Sequence, residues 1–176
     1  MIYVALLRGI NVGGRATIAM ADLRDTCAAA GCEDVVTYIQ SGNVVLRSRL
    51  GAERLRTVLE AAIADRFNVR PAVMIRTGAE MAAVVAANPY AGQDPAHLHV
   101  GFLHAAPDPA AGECLAAIDC APETVTASGR DVYMYLPNGM GRAELPVRVG
   151  RCLRPAELTV RNWRTVTKLA ELSAAS

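Results

Sequence analysis

The order of apolar and turn segments is the feature that most restricts the fold of this 176-residue chain. In its first half, short apolar runs alternate with amphipathic stretches. Strands are predicted at 2–8, 35–40, 44–48 and 72–76, and helices at 19–30 and 52–67. Ser41-Gly42-Asn43 provides the turn between the second and third strands. The resulting order, β-α-β-β-α-β, is that of a split βαβ or ferredoxin-like unit.

The second half begins the same order again, after a break rich in turn residues at 89–95. Strands are predicted at 98–104, 123–127 and 132–136 and helices at 109–118, 144–149 and 160–172. A helix therefore stands where the fourth strand would be expected. The sequence predicts an α+β protein of two ferredoxin-like halves, 1–88 and 96–176, joined by a linker at 89–95. The second half carries a helical C-terminal extension.

Charge and composition exclude two classes of protein. The chain has 52% hydrophobic and 20% charged residues, which excludes intrinsic disorder. A net charge of +1 excludes a protein coated in positive charge to hold nucleic acid. Between positions 142 and 168, however, seven basic side chains accompany only Glu144 and Glu157. This asymmetry indicates an anionic partner for the C-terminal part.

The cysteines and the N-terminus bear on the cellular compartment. The five cysteines are an odd number without C-x-x-C spacing, namely Cys27, Cys32, Cys114, Cys120 and Cys152. We expect them to be reduced and partly buried in a cytoplasmic chain. The N-terminal apolar run ends at Arg8, too early for a secretory signal, and no stretch approaches a membrane span. The sequence predicts a cytoplasmic protein that does not enter a membrane.

A glycine-rich loop follows the first predicted strand. Such loops can wrap backbone N–H groups around an anion. The loop matches neither standard nucleotide fingerprint, because Asn11 holds the middle glycine position of one and the Gly-Lys-Ser/Thr of the other is absent. The alternative is a glycine turn with solvated arginines. The candidate anion-binding residues are Arg8, Gly9, Asn11, Gly13, Gly14 and Arg15.

A basic stripe is predicted on the final helix, with Thr159 as its N-cap. At about 100° per residue, Arg161, Arg164 and Lys168 fall within about 60° of one another. Together with Asn162 they form a second candidate anion site, beside a helix N-terminus that favours negative charge. The alternative is an amphipathic helix with solvated charges and a core tryptophan. Lys168 is the only lysine in the chain, which reflects either chance or a need for an ammonium group.

Metal, cofactor and hydrolytic sites have no clear signal in the sequence. His97 and His99 alternate on a predicted strand, but no third ligand is near in sequence, so no metal site is predicted. The chain has no Gly-x-Ser-x-Gly elbow and no recognisable carboxylate pair. No cofactor is indicated.

Four segments together resemble the signature blocks of the bacterial domain-of-unknown-function family 1697 (DUF1697). They are ALLRGINVGG (5–14), YIQSGNVV (38–45), NPY (88–90) and TVRNWRTVTKL (159–169). The resemblance spans essentially the whole chain and implies an α+β fold of two ferredoxin-like halves, without an activity. The chain departs from the family's second glycine loop, where Ala143-Glu144-Leu145 replaces Ser-Lys-Leu. A methyl group and an anion thereby replace a hydroxyl and a cation, which weakens phosphate binding by that loop.

The sequence predicts a binding module for an anionic, phosphate-bearing ligand such as a nucleotide or RNA. In this hypothesis the glycine loop and the basic stripe flank one pocket. An enzyme acting on a small anionic metabolite, with Lys168, Asn11 or Asn162 near the reacting group, is one alternative. A structural or partner-binding protein without a ligand is the other. Sheets of this kind bind RNA through exposed aromatics, and the aromatics on the predicted strands are Tyr38, Phe102, Tyr133 and Tyr135.

Overall fold

The protein is α+β, with two four-stranded antiparallel sheets and six α-helices in a computed structural model that describes residues 1–13 and 17–174. The chain forms two compact units. Unit 1 comprises Met1–Ala83 together with the chain from Lys168 onward, and unit 2 comprises Val84–Thr167. The predicted division at 89–95 differs from this one because it leaves the C-terminal residues in the second half.

Unit 1 holds the first sheet, in the order β2-β3-β1-β4. Alternate residues of β1, among them Tyr3, Ala5 and Leu7, face the apolar sides of helices α1 and α2 in one buried core. The intervening residues Val4 and Leu6 are also buried, so both faces of β1 are covered. Its elements are β1 (Ile2–Leu7), α1 (Met20–Ala29), β2 (Glu33–Tyr38), β3 (Asn43–Arg47), α2 (Ala52–Phe67) and β4 (Val73–Thr77). Helix α3 (Gly78–Ala86) begins in unit 1 and ends in unit 2.

Unit 2 holds the second sheet, in the order β6-β7-β5-β8. Its core lies between this sheet and helices α4 and α5, which contribute Leu115, Leu145 and Val149. In each sheet the first strand of the unit lies between the third and the fourth. Its elements are β5 (Leu98–Leu103), α4 (Pro109–Ala116), β6 (Thr124–Ser128), β7 (Asp131–Tyr135), α5 (Leu145–Leu153) and β8 (Leu158–Asn162). The last helix, α6 (Trp163–Ala174), begins in unit 2 and belongs to unit 1 from Lys168 onward.

Strand β8 corrects the prediction for the end of the chain. The segment predicted to open the final helix instead pairs with β5, with Arg161 opposite Val100. Leu158 and Val160 pack against the unit 2 core. Helix α6 begins only at Trp163. The apolar spacing Val160, Trp163, Val166 resembles a helical period and conceals the two-residue period of the short strand.

The cysteine prediction is wrong for one pair. Cys114 on α4 and Cys152 on α5 form a disulfide, with their Cα atoms 5.5 Å apart. The prediction failed because these cysteines are 38 positions apart in sequence and only the packing of α4 beside α5 brings them together. Cys27, Cys32 and Cys120 are thiols.

Candidate functional site

The glycine loop and the β2–β3 turn lie together at one end of the unit 1 sheet. Strands β1 and β3 are antiparallel, with Leu6 opposite Asn43, so the end of β1 and the start of β3 share an edge. The backbone N–H of Leu7 donates to the carbonyl of Gly42 at 2.9 Å. We call residues 8–13 and 39–43 the loop pair. It brings two of the four signature blocks into direct contact.

Asn11 joins the two parts of the loop pair. Its Nδ2 donates to the carbonyl of Gln40 at 2.8 Å and to that of Ile18 at 2.9 Å. Its Oδ1 accepts the backbone N–H of Ile18 at 2.7 Å. Both amide protons and the carbonyl oxygen are therefore engaged with backbone groups. Asn11, predicted as an anion-binding residue, positions the loop through its side chain.

Gly42 lets the turn approach the glycine loop closely. It has a φ of +74°, and a Cβ built there would lie 2.6 Å from Cδ1 of Ile10 and 2.9 Å from Cβ of Leu7. Any larger residue would therefore displace these buried side chains. The sequence identified Gly42 only as a turn residue, because the close approach depends on a residue 32 positions away (42 − 10).

The backbone of the glycine loop visits the left-handed region at every second residue. The φ angles are +69° at Gly9, +53° at Asn11 and +61° at Gly13. Anion-binding concavities of the backbone combine left-handed with right-handed residues, and these three residues supply the left-handed part of that pattern. Gly14 and Arg15, which were also predicted to bind the anion, lie outside the described residues.

Exposed side chains surround this backbone. Arg8 is exposed, and the apolar Val12 and Ile39 are 63% and 49% exposed. Ile39 also has a φ of +49°, an outlier for a β-branched residue. Strained backbone of this kind occurs preferentially at functional sites. The surface of the loop pair thus combines one guanidinium group, glycine backbone and two exposed apolar side chains.

Arg161 does not lie on an exposed helical stripe. Its side chain is buried on β8, where Nη1 donates to Oγ1 of Thr159 at 2.8 Å and to the carbonyl of Val160 at 2.9 Å. Burial lowers the pKa of Arg161 to about 10. The N-cap of α6 is Asn162, whose Oδ1 accepts the N–H of Thr165 at 2.9 Å. The prediction of a helical basic stripe that includes Arg161 is therefore wrong, and so is the prediction of Thr159 as the N-cap.

Arg164 and Lys168 are exposed residues of α6. The Nζ of Lys168 lies 3.0 Å from Oε2 of Glu171, one turn further along the helix. An exposed pair of this kind contributes only about 0–1 kcal/mol to stability. The glycine loop belongs to unit 1 and Arg161 to unit 2. That the two predicted sites share one anion stays a prediction.

The aromatic side chains of the unit 2 sheet are mostly unavailable for stacking. Phe102 and Tyr133 are 0% and 2% exposed, and the hydroxyl of Tyr133 donates to the carbonyl of Val84. Tyr135 is partly exposed and packs against Tyr90, with ring centroids 6.3 Å apart. RNA recognition by sheets of this kind needs exposed rings on the central strands. The burial of Phe102 and Tyr133 therefore disfavours this sheet as an RNA platform.

Three further observations concern metal ligands, a histidine pKa and membrane spans among the described residues. In residues 1–13 and 17–174, no three histidine, cysteine or acidic side chains are placed to hold a metal ion together. His99 is partly buried, and this burial lowers its pKa. Within the same ranges, no helix is both long enough and apolar enough to cross a bilayer.

A polar cleft in unit 2 was not predicted from the sequence. It measures about 470 Å³ and lies between the chain after α4 and the start of α5. Its lining includes Asp119, Glu123, Arg142 and Arg148. Arg142 and Arg148 belong to the basic segment 142–168, which was the only available signal. Their convergence with residues 119–123 depends on the packing of the two helices.

Comparisons with known proteins show similarity in family and in fold. A family profile described as "Protein of unknown function (DUF1697)" matches residues 1–133. Among solved structures, the chain is similar to the conserved bacterial protein SP0830 from Streptococcus pneumoniae, with a TM-score of 0.78, 21% sequence identity and 98% of each chain covered. At this identity the similarity shows the fold alone. No curated protein sequence matches the chain.

Proposed function

This chain belongs to the DUF1697 family, whose function is unknown, and we propose that it is a binding module. In this proposal the protein is bacterial and cytoplasmic, and its ligand is a small phosphate-bearing molecule, namely a mononucleotide. We further propose that both units are ferredoxin-like. The β-α-β-β-α-β order and the common placement of the first strand between the third and fourth support this assignment.

The fixed geometry of the loop pair is the observation that carries the proposed function. The Asn11 side chain donates two hydrogen bonds and accepts one, and these bonds fix a backbone with left-handed residues at Gly9, Asn11 and Gly13. A backbone fixed before binding loses little conformational entropy when an anion arrives. Arg8, at the start of the loop, adds a guanidinium group suited to two phosphate oxygens.

The exposed apolar residues of the loop pair favour a nucleotide over inorganic phosphate. Val12 follows Asn11 and Ile39 precedes Gln40, and the Asn11–Gln40 hydrogen bond holds the two segments together. Aliphatic side chains beside a phosphate-binding loop offer a surface for a flat base or a ribose. The buried Phe102 and Tyr133 favour a single nucleotide over a strand of RNA.

A titration of the full chain with AMP tests the proposal, with inorganic phosphate as the comparison. We expect AMP to shift the backbone amide NMR signals of residues 9–13 and 39–43, and phosphate to act more weakly at the same signals. Arg8→Gln should weaken AMP binding about tenfold or more, since a charge-assisted hydrogen bond contributes about 1.5–3 kcal/mol. Arg54→Gln, which removes an exposed arginine of α2, is the matched control and should bind as the wild type does.

Three results would overturn the proposal. One is the absence of saturable shifts in the loop pair at millimolar AMP. Another is an equal loss of affinity in the Arg8 and Arg54 variants, which would indicate general attraction to positive charge. Shifts confined to the unit 2 sheet would place nucleotide binding elsewhere.

A further inference from the structure

The polar cleft of unit 2 has the size of a small-molecule site. Its volume of about 470 Å³ falls within the range of about 300–1,000 Å³ that is typical of ligand pockets. One wall is formed by residues 119–123, which follow α4. The other is formed by Arg142, Glu144 and Arg148, and Asn138 from the β7–α5 loop completes the lining.

Glu123, on the first wall, forms hydrogen bonds to the backbone of the second wall. Its carboxylate is buried and accepts the backbone N–H of Leu145 at 2.7 Å and that of Glu144 at 3.3 Å. It therefore satisfies N–H groups at the start of α5 that would otherwise attract an anion. The Sγ of Cys120 also lies 3.7 Å from Glu123 Oε2.

Two further links hold the cleft open at a fixed width. Arg148 donates through Nη1 to the carbonyl of Asp119 at 2.9 Å and through Nη2 to Oε2 of Glu144 at 3.4 Å. The Cys114–Cys152 disulfide joins α4 to α5 and encloses every lining residue within its covalent loop. The cleft is therefore shaped by the protein itself and needs no ligand to form.

Three polar groups of the lining take no part in these hydrogen bonds. The carboxylate of Asp119, the amide of Asn138 and the guanidinium of Arg142 make no hydrogen bond or ion pair with any other described residue. Asp119 and Arg142 carry opposite charges and do not pair with each other. One cleft thus presents an unengaged anion, an unengaged cation and an amide that can both donate and accept.

We propose that this cleft binds a small zwitterion, a free α-amino acid or a dipeptide. The ligand carboxylate pairs with the Arg142 guanidinium, which can donate two parallel hydrogen bonds. The ligand ammonium pairs with Asp119, and Asn138 bonds to a polar group between them. The formal charge of the lining, two arginines against Asp119, Glu123 and Glu144, is +2 − 3 = −1. This charge disfavours a phosphate or another purely anionic ligand.

Titration of the full chain with glycylglycine tests the inference, followed through backbone amide NMR signals. Acetate and methylammonium at the same concentration serve as probes of a single charge. We expect glycylglycine to saturate shifts at residues 119–123, 138 and 142–148, and to bind at least about tenfold more tightly than either single-charge probe, because two pairs form at once.

Two variants test the assigned contacts. Arg142→Gln and Asp119→Asn should each weaken glycylglycine binding about tenfold, whereas Arg151→Gln, an exposed α5 residue outside the cleft, should leave it unchanged. All three replaced side chains are exposed, so unchanged thermal melting is expected and separates binding from folding. The inference is overturned if glycylglycine does not saturate these shifts, if acetate binds equally well, or if the Arg151 variant loses as much affinity. The AMP titration reports on unit 1 and remains interpretable in each case.

Discussion

Arg76 and Arg161 occupy corresponding positions in the two units. Arg76 lies on β4 opposite Val4 of β1, and Arg161 lies on β8 opposite Val100 of β5. Both side chains are buried, at 1% and 8% exposure. Each donates from Nη1 to the carbonyl of the residue that precedes it in the chain. A buried guanidinium on the last strand is thus a repeated feature of the fold.

The residue after each of these arginines caps the next helix. Oγ1 of Thr77 accepts the N–H of Glu80 at 3.1 Å, and Oδ1 of Asn162 accepts the N–H of Thr165 at 2.9 Å. Both arrangements place a polar side chain at the start of the helix and satisfy an N–H three residues on. The two units therefore share a strand-to-helix junction, although its residues are Arg-Thr in one unit and Arg-Asn in the other.

The buried arginine of unit 2 should be essential to stability. Arg161→Met removes a charged donor that bonds to Thr159 and Val160, and we expect the free energy of unfolding to fall by at least about 2 kcal/mol. Arg164→Met, which replaces an exposed arginine three positions later, should change it by no more than about 0.5 kcal/mol. Urea denaturation of both variants provides the measurement. A similar loss of unfolding free energy in both variants would mean that the buried hydrogen bonds of Arg161 do not stabilise the protein.

The two hairpin glycines should differ in their tolerance of a methyl group. Gly42 and Gly129 both have positive φ, +74° and +56°, so alanine at either costs about 1–2 kcal/mol of backbone energy. A Cβ at Gly129 meets nothing within 4 Å, whereas one at Gly42 collides with Ile10 and Leu7. Gly42→Ala should therefore lose about 1–3 kcal/mol more than Gly129→Ala. Thermal and urea unfolding measure the difference, and equal losses would count against the close packing of the loop pair.

The Cys114–Cys152 disulfide should make the stability of the protein depend on redox conditions. The bond joins positions 38 residues apart, and chain-entropy arguments give it about 3–4 kcal/mol. Addition of a dithiol reductant should lower the urea midpoint of the wild type and of Cys120→Ser. The double variant Cys114→Ser/Cys152→Ser should not respond. An unchanged wild-type midpoint in reductant would be inconsistent with the bond.

Cys27 should contribute a pH dependence in the alkaline range. Burial, reinforced by Cys32, raises the pKa of its thiol from 9.0 to about 12. Above pH 9 the unfolded chain releases this proton while the folded chain keeps it, so the contribution to stability is complete below pH 9 and decreases as the pH rises toward 12. Cys27→Ala should show a shallower loss of unfolding free energy between about pH 9 and 11 than the wild type. Urea denaturation across this range checks it, and parallel curves would refute it.

The sequence alone determined the features that depend on neighbouring residues. Strands β1, β3 and β4 and helix α2 were predicted close to their observed bounds, because their apolar spacing and flanking turns are local signals. The α+β class follows from that order of elements and is confirmed. Ser41-Gly42-Asn43 marked the β2–β3 turn for the same reason.

Only the tertiary structure decided what depends on residues far apart in the chain. Asn11 forms a hydrogen bond with Gln40, 29 positions away, and Cys114 forms a disulfide with Cys152, 38 positions away. Arg161 is buried because β8 pairs with β5, although its spacing to Arg164 and Lys168 fits an exposed helix equally well. A periodic pattern specifies which side chains share a face. Whether that face meets solvent, a core or an opposite wall depends on packing between distant segments, which no local pattern encodes.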